Sequence, residues 1–123
     1  MKYIDDLKFK FPIDKRISDS IRFKQKFPDK IPVIVDSYTE KSPTIDNHKF
    51  LVPNDITLAQ FMYIIRKRVK LNPDEALYFF IGSKKIMETG SKLMSEIFKS
   101  HADDDKFLYI YYDIESTFGN ILF

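Results

Sequence analysis

Apolar positions along this chain switch between helical and strand spacing. Near the start, Ile13, Ile17 and Ile21 stand on an i, i+4 ladder, with Phe23 to one side. The spacing predicts two short helices, one near residues 3–10 and one opening at Pro12, where a missing N–H costs nothing. Pro28 and Pro32 then force extended backbone. Val33-Ile34-Val35 is a β-branched strand core. Residues 36–47 are polar, contain Pro43 and read as a loop. Lys49-Phe50-Leu51-Val52 is a second strand, ended by Pro53-Asn54-Asp55, at a spacing that suits a hairpin.

The clearest helix follows. Thr57 and Gln60 form a capping box, in which each side chain satisfies a free backbone N–H of the first turn. Leu58, Phe61, Met62, Ile65 and Val69 make one apolar stripe, and Asn72-Pro73 stops it. Leu77-Tyr78-Phe79-Phe80-Ile81 is nearly all apolar, the pattern of a central strand buried on both faces. Residues 82–91 read as a loop. Leu93, Met94, Ile97 and Phe98 mark a short amphipathic helix, and residues 107–112 a last strand. Two hairpin strands, a crossing helix and two further strands are the elements of an α+β, ubiquitin-like β-grasp fold. It would hold a four-stranded mixed sheet, with two extra helices in front. No repeat or linker divides the chain.

Composition narrows the chemistry. The 123 residues suffice for one domain with its own core. With no cysteine there is no disulfide, thiol nucleophile or cysteine-based zinc site, and His48 and His101 are far apart in sequence. No metal or cofactor is expected. No segment has the roughly 18–20 apolar residues that span a bilayer, and residues 1–6 lack a signal-peptide core. Net charge is +2, too small to argue for nucleic acid. Residues 1–30 hold nine basic and five acidic side chains, +4, whereas residues 101–123 hold one and five, −4. The basic start suits acidic partners or anionic headgroups, or a solvated face.

The last strand leads into Glu115-Ser116-Thr117-Phe118-Gly119, and Asn120-Ile121-Leu122-Phe123 follows. Glycine has no Cβ, so the tail is slender there and its carbonyl is open to attack. A strand, a thin tail, a glycine and a removable stub are the signature of a conjugated modifier. The same glycine also fits the plain end of a floppy tail.

Several motifs carry a resemblance. They are Phe27-Pro28-Asp29-Lys30-Ile31-Pro32-Val33-Ile34-Val35, Lys49-Phe50-Leu51-Val52-Pro53, Gln60-Phe61, Ile65-Arg66-Lys67-Arg68, Phe107-Leu108-Tyr109 and Ser116-Thr117-Phe118-Gly119. In order and spacing the chain resembles the autophagy-related ubiquitin-like modifier family, which includes the GABA-receptor-associated and light-chain-three proteins. The resemblance runs from about Phe11 to Gly119. It implies that a cysteine protease cuts between Gly119, which follows Phe118, and Asn120, and removes the stub 120–123. E1-like and E2-like enzymes would then join Gly119 to phosphatidylethanolamine. The protein would be a cytoplasmic monomer when soluble and would sit on the autophagosome membrane once lipidated. It would be no enzyme, but a substrate of enzymes. The implied organisation is a helical extension over 1–29, a β-grasp core over 30–114 and a tail over 115–123.

The resemblance also implies a receptor-binding face. Receptors would bring an aromatic-x-x-aliphatic peptide that adds as a strand to the edge of the second strand. The aromatic pocket would use Asp19, Phe23, Pro32, Ile34, Lys49, Leu51 and Phe107. The aliphatic pocket would use Phe50, Val52, Pro53, Ile56, Phe61 and Ile64. Lys30, Lys49 and Arg68 would meet acidic residues beside the motif. Alternation along the strand separates Leu51 from Phe50 and Val52. Two features depart from the family pattern. Phe23 stands where an aliphatic residue is common, so its ring would narrow the aromatic pocket. Residues 82–92 lack the usual paired prolines and run about two residues longer, which alters a surface and keeps the fold.

Rival readings remain. An unconjugated ubiquitin-like adaptor would keep the peptide face and drop the Gly119 chemistry. A nucleic-acid domain would use Arg66, Lys67, Arg68 and Lys70, but consecutive residues point around a helix, so no nucleic-acid partner is expected. Asp103-Asp104-Asp105 is an acidic cluster in a loop, with no nucleophile or phosphate loop to make it catalytic.

Overall fold

A computed structural model of the chain describes residues 2–81, 84–86 and 89–116. The elements are α1 (Lys2–Lys10), α2 (Ile13–Lys26), β1 (Lys30–Ser37), β2 (Lys49–Pro53), α3 (Leu58–Arg68), β3 (Glu75–Ile81), β4 (Lys84–Lys85), α4 (Met94–His101) and β5 (Leu108–Ser116). They form a mixed sheet in the order β2-β1-β5-β3-β4, with β1 and β5 parallel and the other neighbours antiparallel. Four strands match the expected β-grasp sheet, and the two-residue β4 adds a fifth within the segment read as a loop.

Side chains of β5 alternate between two apolar layers. Leu108, Ile110 and Tyr112 join the core under α3 and α4, with Val33, Val35, Phe61, Ile65, Met94 and Ile97. Phe107, Tyr109 and Tyr111 join the opposite layer under α1 and α2, with Ile4 and Ile34. The strands buried on both faces are therefore β1 and β5, side by side inside the sheet. The expectation had given that place to residues 77–81. In β3 those side chains are half-buried except Phe79, because β3 lies next to a two-residue edge strand. An apolar run reports burial but not sheet order.

Local chemistry sets the helices. Thr57 accepts from the Gln60 N–H at 3.2 Å, and the Thr57 N–H donates back to the Gln60 side chain at 2.8 Å, closing the expected capping box. The Leu58 and Ala59 N–H groups donate to Lys92 and Gly90 carbonyls at 2.8 and 3.1 Å, so the following loop completes the helix start. Gly90 approaches so closely that a Cβ there would lie 2.9 Å from the Ala59 Cβ. Helix α1 is anchored at its start, where the Ile4 N–H donates to buried Asp36 at 3.0 Å. Ile4 itself is fully buried, and Tyr3 stacks on His48 at 3.8 Å.

The C-terminal boundary differs from the expected one. Residues 115 and 116, read as the start of the tail, belong to β5 and pair with Ala76 and Glu75. Phe118, Gly119 and Asn120 lie outside the described residues.

Candidate functional site

Strand β2 is an edge of the sheet. Its register on β1 places Val33 opposite Phe50, Pro32 opposite Leu51 and Ile31 opposite Val52. Backbone bonds at both ends fix which groups face inward. The Val35 N–H donates to His48 O at 2.8 Å, and the Asn54 N–H to Asp29 O at 3.0 Å. Stepping by two from either end, Phe50 and Val52 direct their backbone groups to β1. Lys49, Leu51 and Pro53 direct theirs away from it. The Lys49 N–H is held by the Asn47 side chain at 3.3 Å, and Pro53 has none to give. Leu51 thus offers both an outward N–H and an outward C=O, beside a side chain that is 38% exposed. An edge of this kind accepts a further strand.

On one side of that edge, α1 and α2 wall a small cleft of about 100 Å³. Asp19, Phe23, Ile34, Lys49 and Phe107 line it, together with Leu7, Phe11 and Arg16. These five of the seven expected aromatic-pocket residues meet in one place. Phe23 and Phe107 stand edge to face at 6.1 Å, so the Phe23 ring does occupy the pocket wall. Asp19 holds Arg22 at 2.6 Å and Lys15 at 3.1 Å. Leu51 faces this side of the sheet from β2, opposite Pro32, but neither lines the cleft. Pro32 borders a separate cavity.

The other side is more occupied. Val52 and Phe61 are core residues, and Phe50 meets Phe61 edge to face at 6.0 Å. Ile56 is half-buried against the same core, while Pro53 is exposed and Ile64 is 40% exposed. Of the expected aliphatic set, Ile64 and Pro53 offer free surface and Val52 and Phe61 supply the floor. Arg68 lies over the Phe50 ring at 5.4 Å and 3.5 Å from Asp46, which puts a cation at this patch. Lys30 sits 5.9 Å from the Phe27 ring, in register with Pro53.

Sequence reasoning missed what holds the cleft. The Asp105 side chain is fully buried and accepts from Arg16 Nε at 2.9 Å, from the Phe107 N–H at 2.9 Å and from the Tyr109 hydroxyl. Arg16 also donates to Lys8 and Phe11 carbonyls. One buried carboxylate thus ties α1, α2 and the start of β5 together. Burial pushes the Tyr109 hydroxyl up, and its bond to Asp105 adds to this. Asp103 answers Lys8 at 2.7 Å; burial raises its pKa, yet the Lys8 bond and the neighbouring charges bring it below the ordinary carboxylate value. Among the described residues no cluster could hold a metal ion, and no helix is long and apolar enough to cross a membrane.

A mixed sheet crossed by α3, with a free β2 edge flanked by apolar surface, defines a ubiquitin-like protein. A family model described as autophagy protein Atg8, ubiquitin-like, matches residues 15–119. Autophagy-related protein 8d of Arabidopsis thaliana is 45% identical over 118 residues, 94% of this chain and 96% of that protein. Autophagy-related protein 8 of Coccidioides immitis is 48% identical over 111 residues, 89% of this chain and 92% of that one. The crystal structure of Trypanosoma brucei ATG8 superposes with a TM-score of 0.78 at 34% identity, covering 92% and 97% of the two chains. The chain belongs to the Atg8 family of ubiquitin-like autophagy proteins.

Proposed function

We propose that this protein is a ubiquitin-like modifier conjugated through Gly119 to phosphatidylethanolamine. Once on the autophagosome membrane, it recruits receptors by binding aromatic-x-x-aliphatic peptides along β2. The observation that carries the peptide half is the outward backbone of Leu51 on an edge strand, with a cleft on one side and Ile64 and Pro53 exposed on the other. Main-chain bonds would supply affinity and the apolar side chains specificity. Membership of the family supports the conjugation half. A processing cysteine protease and E1-like and E2-like enzymes would be its partners, and the protein itself would do no catalysis. It would be a cytoplasmic monomer before lipidation. A two-chain lipid would then anchor it firmly, since among the described residues no helix is long and apolar enough to cross a membrane.

Intact mass spectrometry of the protein recovered from its own cells tests the first half. A soluble form ending at Gly119 and a membrane form heavier by one phosphatidylethanolamine are expected. The uncut mass in both fractions would leave an unconjugated peptide-binding adaptor. For the second half, Leu51→Ala should weaken peptide binding and spare lipidation, and Gly119→Ala should do the reverse. If each change abolished both activities, two separable sites would not exist.

A further inference from the structure

The last described residue of β5 lies beside a cluster of unpaired cations. Ser116 ends the strand, in register with Glu75, the first residue of β3. Just before Glu75 in sequence, the end of α3 and the segment after it enclose a shallow hollow of about 520 Å³. Arg66, Lys67 and Lys70 line it with Tyr63, Asn72 and Pro73, and among the described residues no acidic side chain does. All three cations are exposed, and among the described residues none is in an ion pair. Arg68, between them in sequence, turns the other way and answers Asp46 at 3.5 Å. Glu75 is turned to the Asn72 N–H, which it holds at 2.8 Å. The C-terminus of a helix carries about half a negative charge, which offsets only a fraction of three full cations.

Tyr63 adds an independent observation. It is 59% exposed, and the Lys67 ammonium lies over its ring at 4.7 Å. An exposed ring with a polar hydroxyl, beside lysines whose stems are apolar, suits the boundary between lipid headgroups and acyl chains.

We infer that the anchored domain lies with this face against the bilayer, where Arg66, Lys67 and Lys70 bind anionic lipid headgroups. This rests on the conjugation reading above. Gly119 is three residues beyond Ser116, a reach of about 11 Å at most. The Debye length at physiological salt is about 8 Å. So short a tether holds this end of the domain within the surface potential of an anionic leaflet. Each cation there favours contact by about fivefold, and a neutral leaflet gives no such gain. The covalent lipid would hold the protein on the membrane, and the cluster would set its orientation and its preference among lipids. The far end of the molecule would face the cytosol. There α1 ends over the start of β5, where Lys8 meets Asp103 at 2.7 Å and Phe9 is 95% exposed.

Fluorescence of the chemically anchored full chain tests this. The sequence has no cysteine and no tryptophan. Gly119→Cys therefore supplies a single thiol, to be coupled to a maleimide-bearing lipid, and Tyr63→Trp a single indole. On vesicles of phosphatidylserine and phosphatidylcholine, the indole emission should shift to the blue and be quenched by brominated acyl chains. Phosphatidylcholine alone should give little of either. Combining Arg66→Gln, Lys67→Gln and Lys70→Gln should lower contact with the anionic vesicles on the order of a hundredfold. All three positions are exposed, so this variant should fold. Phe9→Trp, in place of Tyr63→Trp, should keep the emission of an indole in water. Equal emission on the two kinds of vesicle, a shift that survives the triple substitution, or burial of the Phe9→Trp indole instead overturns the inference. Binding of a labelled single-stranded RNA that the triple substitution abolishes, with no change on vesicles, would assign the hollow to nucleic acid and also overturn it. Because the link is chemical, none of these outcomes depends on whether cells conjugate Gly119, which the mass measurement decides separately.

Discussion

Arg16 and Asp105 are 89 residues apart in sequence, yet their side chains meet at 2.9 Å with Asp105 fully buried. The pair fixes α2 over the start of β5, and therefore fixes Asp19 and Phe23 over Ile34 and Phe107. A buried carboxylate that loses its charged partner is costly, because the neutral donors left to Asp105, the Phe107 N–H and the Tyr109 hydroxyl, offset only part of its desolvation. Arg16→Met should lower unfolding stability by about 3 kcal/mol or more. It should also weaken peptide binding, since α2 loses its seat. Urea unfolding of the two single variants, Arg16→Met and Asp105→Asn, and of the double variant gives the coupling. Additive losses would show that the two side chains do not act as a pair.

The tyrosines of β5 predict behaviour in alkali. Burial, with the charges of Asp5 and Asp36, pushes the Tyr111 hydroxyl up to about 12 from 10.0. Burial and Asp36 do the same for Tyr112, also to about 12. Each folded-state value lies above the unfolded one, so the stability they contribute is complete below pH 10 and is lost as pH rises toward 12. Phenolate absorbance from these residues should rise together with loss of circular dichroism above pH 10. Smooth ionisation near pH 10 with the fold retained would contradict the burial seen here.

Much of this was legible in the sequence because it is local. The Thr57 and Gln60 box and the α3 stripe depend on neighbours a few residues apart, and the β1–β2 hairpin on two strands joined directly by one loop. Sheet order does not. Residues 77–81 and 107–112 carry similar apolar runs, and only the parallel pairing of β5 with β1 puts the second in the middle. The buried role of Asp105 was illegible for the same reason, since Asp103-Asp104-Asp105 looks like a solvated loop until Arg16 is brought to it. The site residues came from family resemblance, which grouped Asp19, Phe23, Ile34, Lys49 and Phe107 as the cleft does. It also assigned Pro32 to that pocket, whereas its ring borders the neighbouring cavity.

Gly90 tests how the long loop is attached. A Cβ there would meet the Ala59 Cβ at 2.9 Å, and the Gly90 carbonyl caps the Ala59 N–H at 3.1 Å. Gly90→Ala should cost about 1–3 kcal/mol, because the loop must lift from the helix start. Ala59→Gly should recover part of that loss in the double variant, though alone it lowers helix propensity by up to about 1 kcal/mol. Thermal unfolding of the set decides it. If Gly90→Ala is neutral, the loop is not held against α3 as described.

Leu51→Pro separates the docking edge from the fold. Proline removes one N–H, and at Leu51 that N–H faces away from β1, so no bond within the sheet should be lost. Phe50 is already extended, as a residue before proline must be. Stability should therefore change by no more than about 1 kcal/mol. Binding of an aromatic-x-x-aliphatic peptide should fall by on the order of tenfold or more, since the added strand loses a main-chain donor and meets a ring. Leu51→Ala should fall less, because it trims an apolar contact and keeps the donor. Equal losses for the two variants would mean that side-chain contact alone drives docking. Unchanged binding of Leu51→Pro would place the peptide elsewhere on the molecule.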